Sequence, residues 1–496
     1  MKKNVILIGG TLIAFLAMGL CSSAIGDSHG GGKEKTTAKA GGVKSKNEDW
    51  KEEFPEYYES WRQTINSNEI VDLLKKNPQM VILWAGYGFA KDYNQARGHM
   101  YGLISSVNSL RTGAPTGPDD GPMPTACWTC KSPDVERVIA EDGENEYFTG
   151  KWARLGDRIA NTIGCANCHD SETYELTVTR EYLKRGLEAS PVDYSKIDDT
   201  EMRSLACAPC HVEYYFLKTE YKDKAGAEKT AAVVTLPWAE GFLAEEAESY
   251  YDGYGFADWT HGISKAPMLK AQHPDYELFT TGVHYKQGVS CADCHMPETE
   301  DGMVDHAIRD PLTNIANSCM KCHEKSEEDF KAIVETKRQR KEQLNQMALN
   351  TLASAHLEAG KAWELGATEA EMEEVLQLIR SGQWMWDYAM ASHGGFFHAP
   401  EETLRLLGVA IDTGGQARLK LAGILAKYGV INYEVPDFST KEKAQALAGV
   451  DLEKLVKAKQ QFRETLFKEW TESAIKNGYL DPDARKGMSE STSYSK

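Results

Sequence analysis

Ten cysteines in five Cys-x-x-Cys pairs constrain this chain more than any other feature: 127/130, 165/168, 207/210, 291/294 and 319/322. Four pairs run directly into a histidine, His169, His211, His295 and His323, whereas the first runs into Lys131. Cys-x-x-Cys-His is the attachment signature of c-type haem, in which two thioethers hold the porphyrin and the histidine ligates iron. With 11 Cys and 13 His in 496 residues, about 0.006 matches are expected by chance, against four present. Zinc, the competing reading of paired Cys-x-x-Cys sites, is therefore the weaker one. Only Cys21 lies outside the pairs, so no cysteines remain for a disulfide framework.

The five motifs fall between Cys127 and His323, about 40 residues per site. That leaves little chain to build a separate core around each, so the porphyrins must supply much of the apolar interior. The expected fold is mainly α: a multihaem cytochrome c with a haem-packed core, few short strands and long C-terminal helices. One β-hairpin is expected, Val212–Lys218 against Thr230–Trp238 across a turn at Lys222–Glu228. Phe54, Tyr57, Tyr58 and Trp61 share one helical face, and Leu110–Pro115 reads as a helix end broken by Gly113 and Pro115.

Beyond His323 the pattern changes. From Ser326 to Leu365, apolar residues recur at three- and four-residue steps. Gly366 breaks the run, Thr368 and Glu371 form a capping box for the next helix, and a last helix is expected over about Asp451–Asn477. This region, 324–496, is read as core packing or as a dimer face.

At the other end, Lys2 and Lys3 precede an apolar run from Val5 to Leu20 and then small residues, the order of a secretory signal over 1–26. Lipid attachment at Cys21 is disfavoured because Leu20, not a small residue, precedes it. Residues 27–48 read as a disordered tether, with His29 a solvated side chain in it, and 49–323 as the five-haem catalytic region. The net charge of −18 argues against nucleic acid, which demands a basic face.

Low-spin electron-transfer haems need a second axial ligand. Nine further histidines exist, at 29, 99, 261, 273, 284, 306, 356, 393 and 398, and four would complete the His-terminated sites. Met is the alternative ligand; His356, inside a long helix, reads as core. Lys131 can ligate iron only as the neutral amine, although a free lysine has a pKa of about 10.4; ferric iron and burial both favour the neutral form. The bland alternative is a lost haem site, against which both Cys127 and Cys130 persist.

One Cys-x-x-Cys-Lys followed by four Cys-x-x-Cys-His in a secreted chain of this size resembles the pentahaem, ammonia-forming cytochrome c nitrite reductases, from about Trp50 to Leu407. The resemblance implies an open distal face on the Lys131 haem, lined by an arginine, a tyrosine and a histidine. Arg111 in Leu-Arg-Thr-Gly-Ala-Pro, Tyr214 after His211 and Glu213, and His273 closing Lys-x-Gln-His match those positions. The blander roles are a propionate partner for Arg111, packing for Tyr214 and a distal ligand for His273. The resemblance also implies calcium beside the pocket, held by the Glu213 carboxylate, the Tyr214 and Lys270 carbonyls and the Gln272 side chain, an oxygen-only set that suits Ca²⁺. It implies axial pairs His169 with His306, His211 with His99, His295 with His398 and His323 with His284; His393 is the neighbour confusable with His398.

The reaction so implied converts nitrite to ammonium with six electrons and eight protons, which one haem cannot store. The pocket for an anion on an acidic protein must be locally positive, and iron, Ca²⁺, Arg111 and a protonated His273 are expected to supply that charge. The resemblance further implies a periplasmic homodimer fed by a multihaem cytochrome donor, such as a membrane-anchored quinol dehydrogenase. The alternatives are a multihaem electron-transfer cytochrome without its own substrate, or a related enzyme acting on hydroxylamine or sulfite.

Overall fold

The computed structural model describes residues 42–193 and 197–494. The signal-segment, Cys21 and His29 readings lie outside the described residues, as does the tether as far as residue 41. Over 42–48 the tether reading is corrected, because these residues dock on the second motif. Asn47 is buried; its amide donates to the Thr162 carbonyl at 3.1 Å and its Oδ1 accepts from the Cys165 N–H at 3.2 Å. Lys44 Nζ donates to the Tyr174 hydroxyl and to Glu53. A polar composition suggested solvation, but Asn47 satisfies backbone groups at a helical start, a role open to short polar side chains.

From there to residue 323 the elements are short. Helix α1 (Pro55–Arg62) has Pro at its first position and buries Tyr58 and Trp61 of the face expected, whereas Phe54 precedes the helix and Tyr57 is exposed. Helix α2 (Gln79–Leu83) is buried over Met80–Leu83. After α3 (Gly102–Asn108), a single turn over Leu110–Thr112 stops at Gly113, whose φ is +74° and whose would-be Cβ meets the Pro122 ring at 2.5 Å. The hairpin exists as β1 (Tyr215–Lys222) and β2 (Glu228–Thr235), antiparallel with Tyr215 opposite Thr235. It is shorter at its base than the alternation suggested, and Glu277 is the reason. Its Oε1 accepts from the Glu213 N–H and the Trp238 indole, both at 2.8 Å, so the Glu213 backbone donor serves a buried carboxyl instead of the ladder.

The C-terminal region has the long helices expected. Helix α4 (Glu327–Glu364), 38 residues and about 57 Å long, starts with a capping box in which Ser326 and Asp329 exchange hydrogen bonds. Gly366, at φ +93°, ends it. The Thr368–Glu371 box then opens α5 (Glu369–Ala391), and Pro400 opens α6 (Pro400–Lys427). The three helices bury Leu349, Leu352, Ala355, Trp384, Trp386, Leu407 and Ala410. His356 is core as expected: Nδ1 meets the Ser264 hydroxyl at 2.9 Å and Nε2 the Gln383 Oε1 at 2.7 Å.

The single helix expected over Asp451–Asn477 is two, α7 (Leu452–Glu464) and α8 (Leu466–Lys476), broken at Thr465, which leaves helical geometry at φ −115°, ψ −93°. The break lets both halves fold onto the first motif. Phe462 and Trp470 lie 6.1 and 5.4 Å from Trp152, which stacks on Trp128 at 4.5 Å. The end of the chain therefore shares a core with the motif region, and the expected boundary at 324 does not separate the two there.

Candidate functional site

The five motifs form one connected array. The Cys130 thiol reaches the Pro209 carbonyl (3.6 Å) and the Cys168 thiol the Ala206 carbonyl (3.8 Å). The Cys291 N–H donates to Ser204 Oγ (3.2 Å), and Ser318 Oγ to the Cys294 carbonyl (3.1 Å). The third motif thus abuts the first, second and fourth, and the fourth abuts the fifth. None of the ten described cysteines is in a disulfide.

Axial spacing tests whether haem fits. An axial nitrogen sits about 2 Å from its metal and the imidazole centre about 1 Å further, so two imidazoles on one iron have centres about 6 Å apart. His169 and His306 are 6.3 Å apart, His295 and His398 6.1 Å, and His284 and His323 6.3 Å. Nδ1 of His169, His306 and His295 lies 2.8, 2.8 and 3.0 Å from the carbonyls of Tyr174, Val304 and Arg309. A carbonyl only accepts, so each Nδ1 carries the proton and each Nε2 is free for a metal. The residues fit bis-imidazole haem. His398, not His393, faces His295; it packs against Gly394, where a Cβ would meet its ring at 2.3 Å. His99 borders the third and first sites: burial, then the charges of His211 and Lys131, push its pKa down to about 4.

The first motif is braced on one side. The Trp128 indole donates to the Trp152 carbonyl at 2.8 Å, and buried Arg180 donates to the carbonyls of Thr129 and Ser132 while pairing with Glu136. Arg111 and Tyr214 lie within electrostatic reach of its cysteines. Burial pushes the Cys127 thiol up to about 12, against the opposing charges of Lys131 and Arg111. Burial also raises the Tyr214 hydroxyl well above its ordinary value, and negative charge on Cys130 or Cys127 would push it the same way. Arg111 projects from the Leu110–Thr112 turn. Its Nε donates to Ser109 Oγ at 3.2 Å and its guanidinium lies over Phe89 at 4.2 Å. Behind that turn, buried Lys459 of α7 donates to the Val107 carbonyl and to Thr112 Oγ1, both at 3.0 Å.

His273 lies against the third motif. Its Nδ1 is 3.0 Å from the Cys210 carbonyl and its Nε2 3.3 Å from Asp275 Oδ2. Two acceptors suit a protonated ring, yet burial pulls the pKa down to about 3 against Asp275. Asp275 also lies beside His211 and His398.

Just before His273, oxygen donors gather around Gln272. Buried Glu213 accepts from the Tyr251 hydroxyl at 2.9 Å and, through Oε2, from the Gln272 N–H at 2.5 Å. The Gln272 side-chain amide is 3.0 Å from the Lys270 carbonyl, and the Lys270 N–H donates to Asp258 Oδ2 at 2.8 Å. Burial raises Asp258 to about 7, Glu277 to about 8 and Glu213 well above the carboxylate range. Lys270 Nζ is already paired with Asp387 at 2.8 Å. A carboxylate, an amide and a carbonyl meeting where buried acids outnumber cations fit a calcium ion.

The sequence reading missed Asp258, Asp275, Glu277, Asp387 and Lys459. It also missed the aromatic loop Trp84–Tyr93, where Phe89 lies under both Arg111 and Lys270 Nζ (4.9 Å). Only that loop carried a signal, four aromatic residues within ten.

The family model described as cytochrome c552 matches residues 46–479. The cytochrome c-552 of Desulfotalea psychrophila is 60% identical over 100% of this chain and 98% of its own length. That of Maridesulfovibrio salexigens is 58% identical over 100% and 99%. Among solved structures, the catalytic subunit of the cytochrome c nitrite reductase from Desulfovibrio desulfuricans, a protein with two calcium sites, matches with a TM-score of 0.68 and 30% identity over 83% of this chain and 90% of that one.

Proposed function

The chain belongs to the cytochrome c552 family, and from that premise we propose that it reduces nitrite to ammonium at its first attachment motif, served by four electron-carrying sites. The observation that carries this reading is an asymmetry. Three His-terminated motifs have a second imidazole at bis-ligand spacing, whereas the motif ending in Lys131 has Arg111 and Tyr214 within electrostatic reach of its cysteines.

Bound c-type haems would supply the electrons and, at the Lys131 site, the iron that nitrite coordinates. Cys127, Cys130, Cys165, Cys168, Cys207, Cys210, Cys291, Cys294, Cys319 and Cys322 would hold them. Lys131, His169 with His306, His211 with His99, His295 with His398, and His323 with His284 would be the axial ligands.

Arg111 binds the anion and stabilises negative charge on the oxygen of the breaking N–O bond, held in place by Ser109 and Phe89. Tyr214 keeps its proton, because burial raises its pKa, and so remains a donor. His273 would hydrogen-bond a nitrite oxygen and supply protons to N–O cleavage. Glu213, Gln272 and the carbonyls of Tyr214 and Lys270 would hold calcium, fixing the backbone on which Tyr214 and His273 sit. The acidic surface favours exit of the ammonium cation.

The protein is proposed to act in the periplasm, directed there by residues 1–26; no helix among the described residues is long and apolar enough to cross a membrane. A multihaem cytochrome, membrane-anchored and quinol-oxidising, is the proposed donor. Ile333, Met347 and Leu419, exposed on α4 and α6, support a homodimer through the long helices. The test is the product formed from nitrite by the haem-loaded protein with a reduced dye. Stoichiometric ammonium is expected; dye oxidation without ammonium, or none, would overturn the proposal.

A further inference from the structure

Asp275 follows His273 and Pro274 and begins a short helix, Asp275–Thr281. Its Oδ2 lies 3.2 Å from Nδ1 of His211 and 3.3 Å from Nε2 of His273. Its Oδ1 accepts from the Ser392 hydroxyl and lies 3.9 Å from Nδ1 of His398. One carboxylate therefore meets three imidazoles: the ligand of the third motif, the pocket histidine, and the ring facing His295. Backbone bonds fix the arrangement, the Tyr276 N–H donating to the His211 carbonyl at 3.0 Å and the Asp275 N–H to the His273 carbonyl at 2.7 Å.

The partner of His211 differs from those of its counterparts. His169 and His295 direct Nδ1 at carbonyls, whereas His211 directs it at a carboxylate. A carboxylate makes the ligand more basic and favours the more positive, oxidised iron, so it lowers the potential of that site. The third motif is also the one that abuts the first, second and fourth. His211, His273 and Asp275 together are spaced as metal ligands could be, but the motif commits His211 to haem through Nε2, which makes Asp275 its outer partner.

We propose that Asp275 is a positioning residue that joins the pocket to the electron-carrying array, holding His273 toward substrate while setting the potentials of the sites ligated by His211 and His398. The inference rests on the nitrite-reductase reading for its pocket half only. Its other half concerns the potentials, which can be read without substrate.

The test uses the haem-loaded full chain, titrated electrochemically with absorption and EPR detection, and assayed for nitrite kcat and KM. Asp275→Asn is expected to shift two of the four low-spin sites to higher potential and leave the other two in place. It should lower kcat about tenfold or more with a smaller change in KM, because Arg111 is untouched. Ser392→Ala keeps the carboxylate but removes its donor, so the same two sites should move the opposite way, by less. That second variant also serves if Asp275→Asn does not take up its haems. Unchanged potentials in the variant that matures would overturn the inference. A wild-type protein that makes no ammonium would instead overturn the nitrite reading, with the potentials still deciding the role of Asp275.

Discussion

The first attachment motif and the four after it share a spacing and differ in what stands around them. Around the second, fourth and fifth, a second imidazole waits about 6 Å from the first, a geometry that closes both faces of an iron. Around the first, the residue after the second cysteine is a lysine, and its neighbours are a guanidinium, a phenol and an aromatic loop. The lesson is that these sites are specified less by the motif than by the group brought opposite it from far along the chain. His306 and His398 lie 137 and 103 residues beyond His169 and His295, the ligands they face.

The largest effect expected from erasing this difference comes from Lys131→His. Giving the first site the ligand of the others should cost about a hundredfold or more in ammonium formation, with haem content unchanged and the spin state of one haem altered. Full activity in this variant would mean that the lysine is not what sets the site apart. Arg111→Ala should come next, lowering kcat/KM for nitrite by about a hundredfold, the scale for losing a donor to developing negative charge. Arg111→Lys should restore part, since it returns charge without the guanidinium's second donor.

A change on the other side of the comparison should be milder. In His306→Met, a thioether raises the potential of one carrier; turnover should slow by about tenfold or less, while nitrite still perturbs the spectrum of the first site as in wild type. Smallest in its effect on turnover at neutral pH is His356→Gln, far from both kinds of site. His356, fully buried, has a pKa pushed down to about 4, and its stacked neighbour His261, at 3.7 Å, lies well below its usual value. Both rings are neutral in the fold and gain protons on unfolding once the pH drops below about 6.5, so their contribution is intact above that value and lost as pH falls toward 4. For His356 the loss is on the order of 3 kcal/mol. Melting temperature should therefore drop more steeply between pH 7 and 5 in wild type than in His356→Gln, where an amide keeps the contacts to Ser264 and Gln383 without titrating.

The sequence was informative where chemistry is local. Each cysteine motif, the capping boxes at Ser326 and Thr368, the stop at Gly366 and the turn of the hairpin depend on residues within a few positions, and each lies where it was read. Groups that act across the chain left no local trace. Glu277 shortens the hairpin from 64 residues past Glu213, and Lys459 braces the Arg111 turn from α7. Asn47 turns a polar stretch into docked structure by meeting backbone groups near Cys165. Asp275 reads as an ordinary first-turn acid until its three imidazoles are seen around it.

The central claim, that one of five sites is built for substrate and four for electrons, is tested most directly by low-temperature EPR of the oxidised haem-loaded protein with and without nitrite. The account predicts four low-spin signals that nitrite leaves unchanged and one distinct signal that nitrite converts, with that conversion lost in Lys131→His. Five low-spin signals, all indifferent to nitrite, would contradict it.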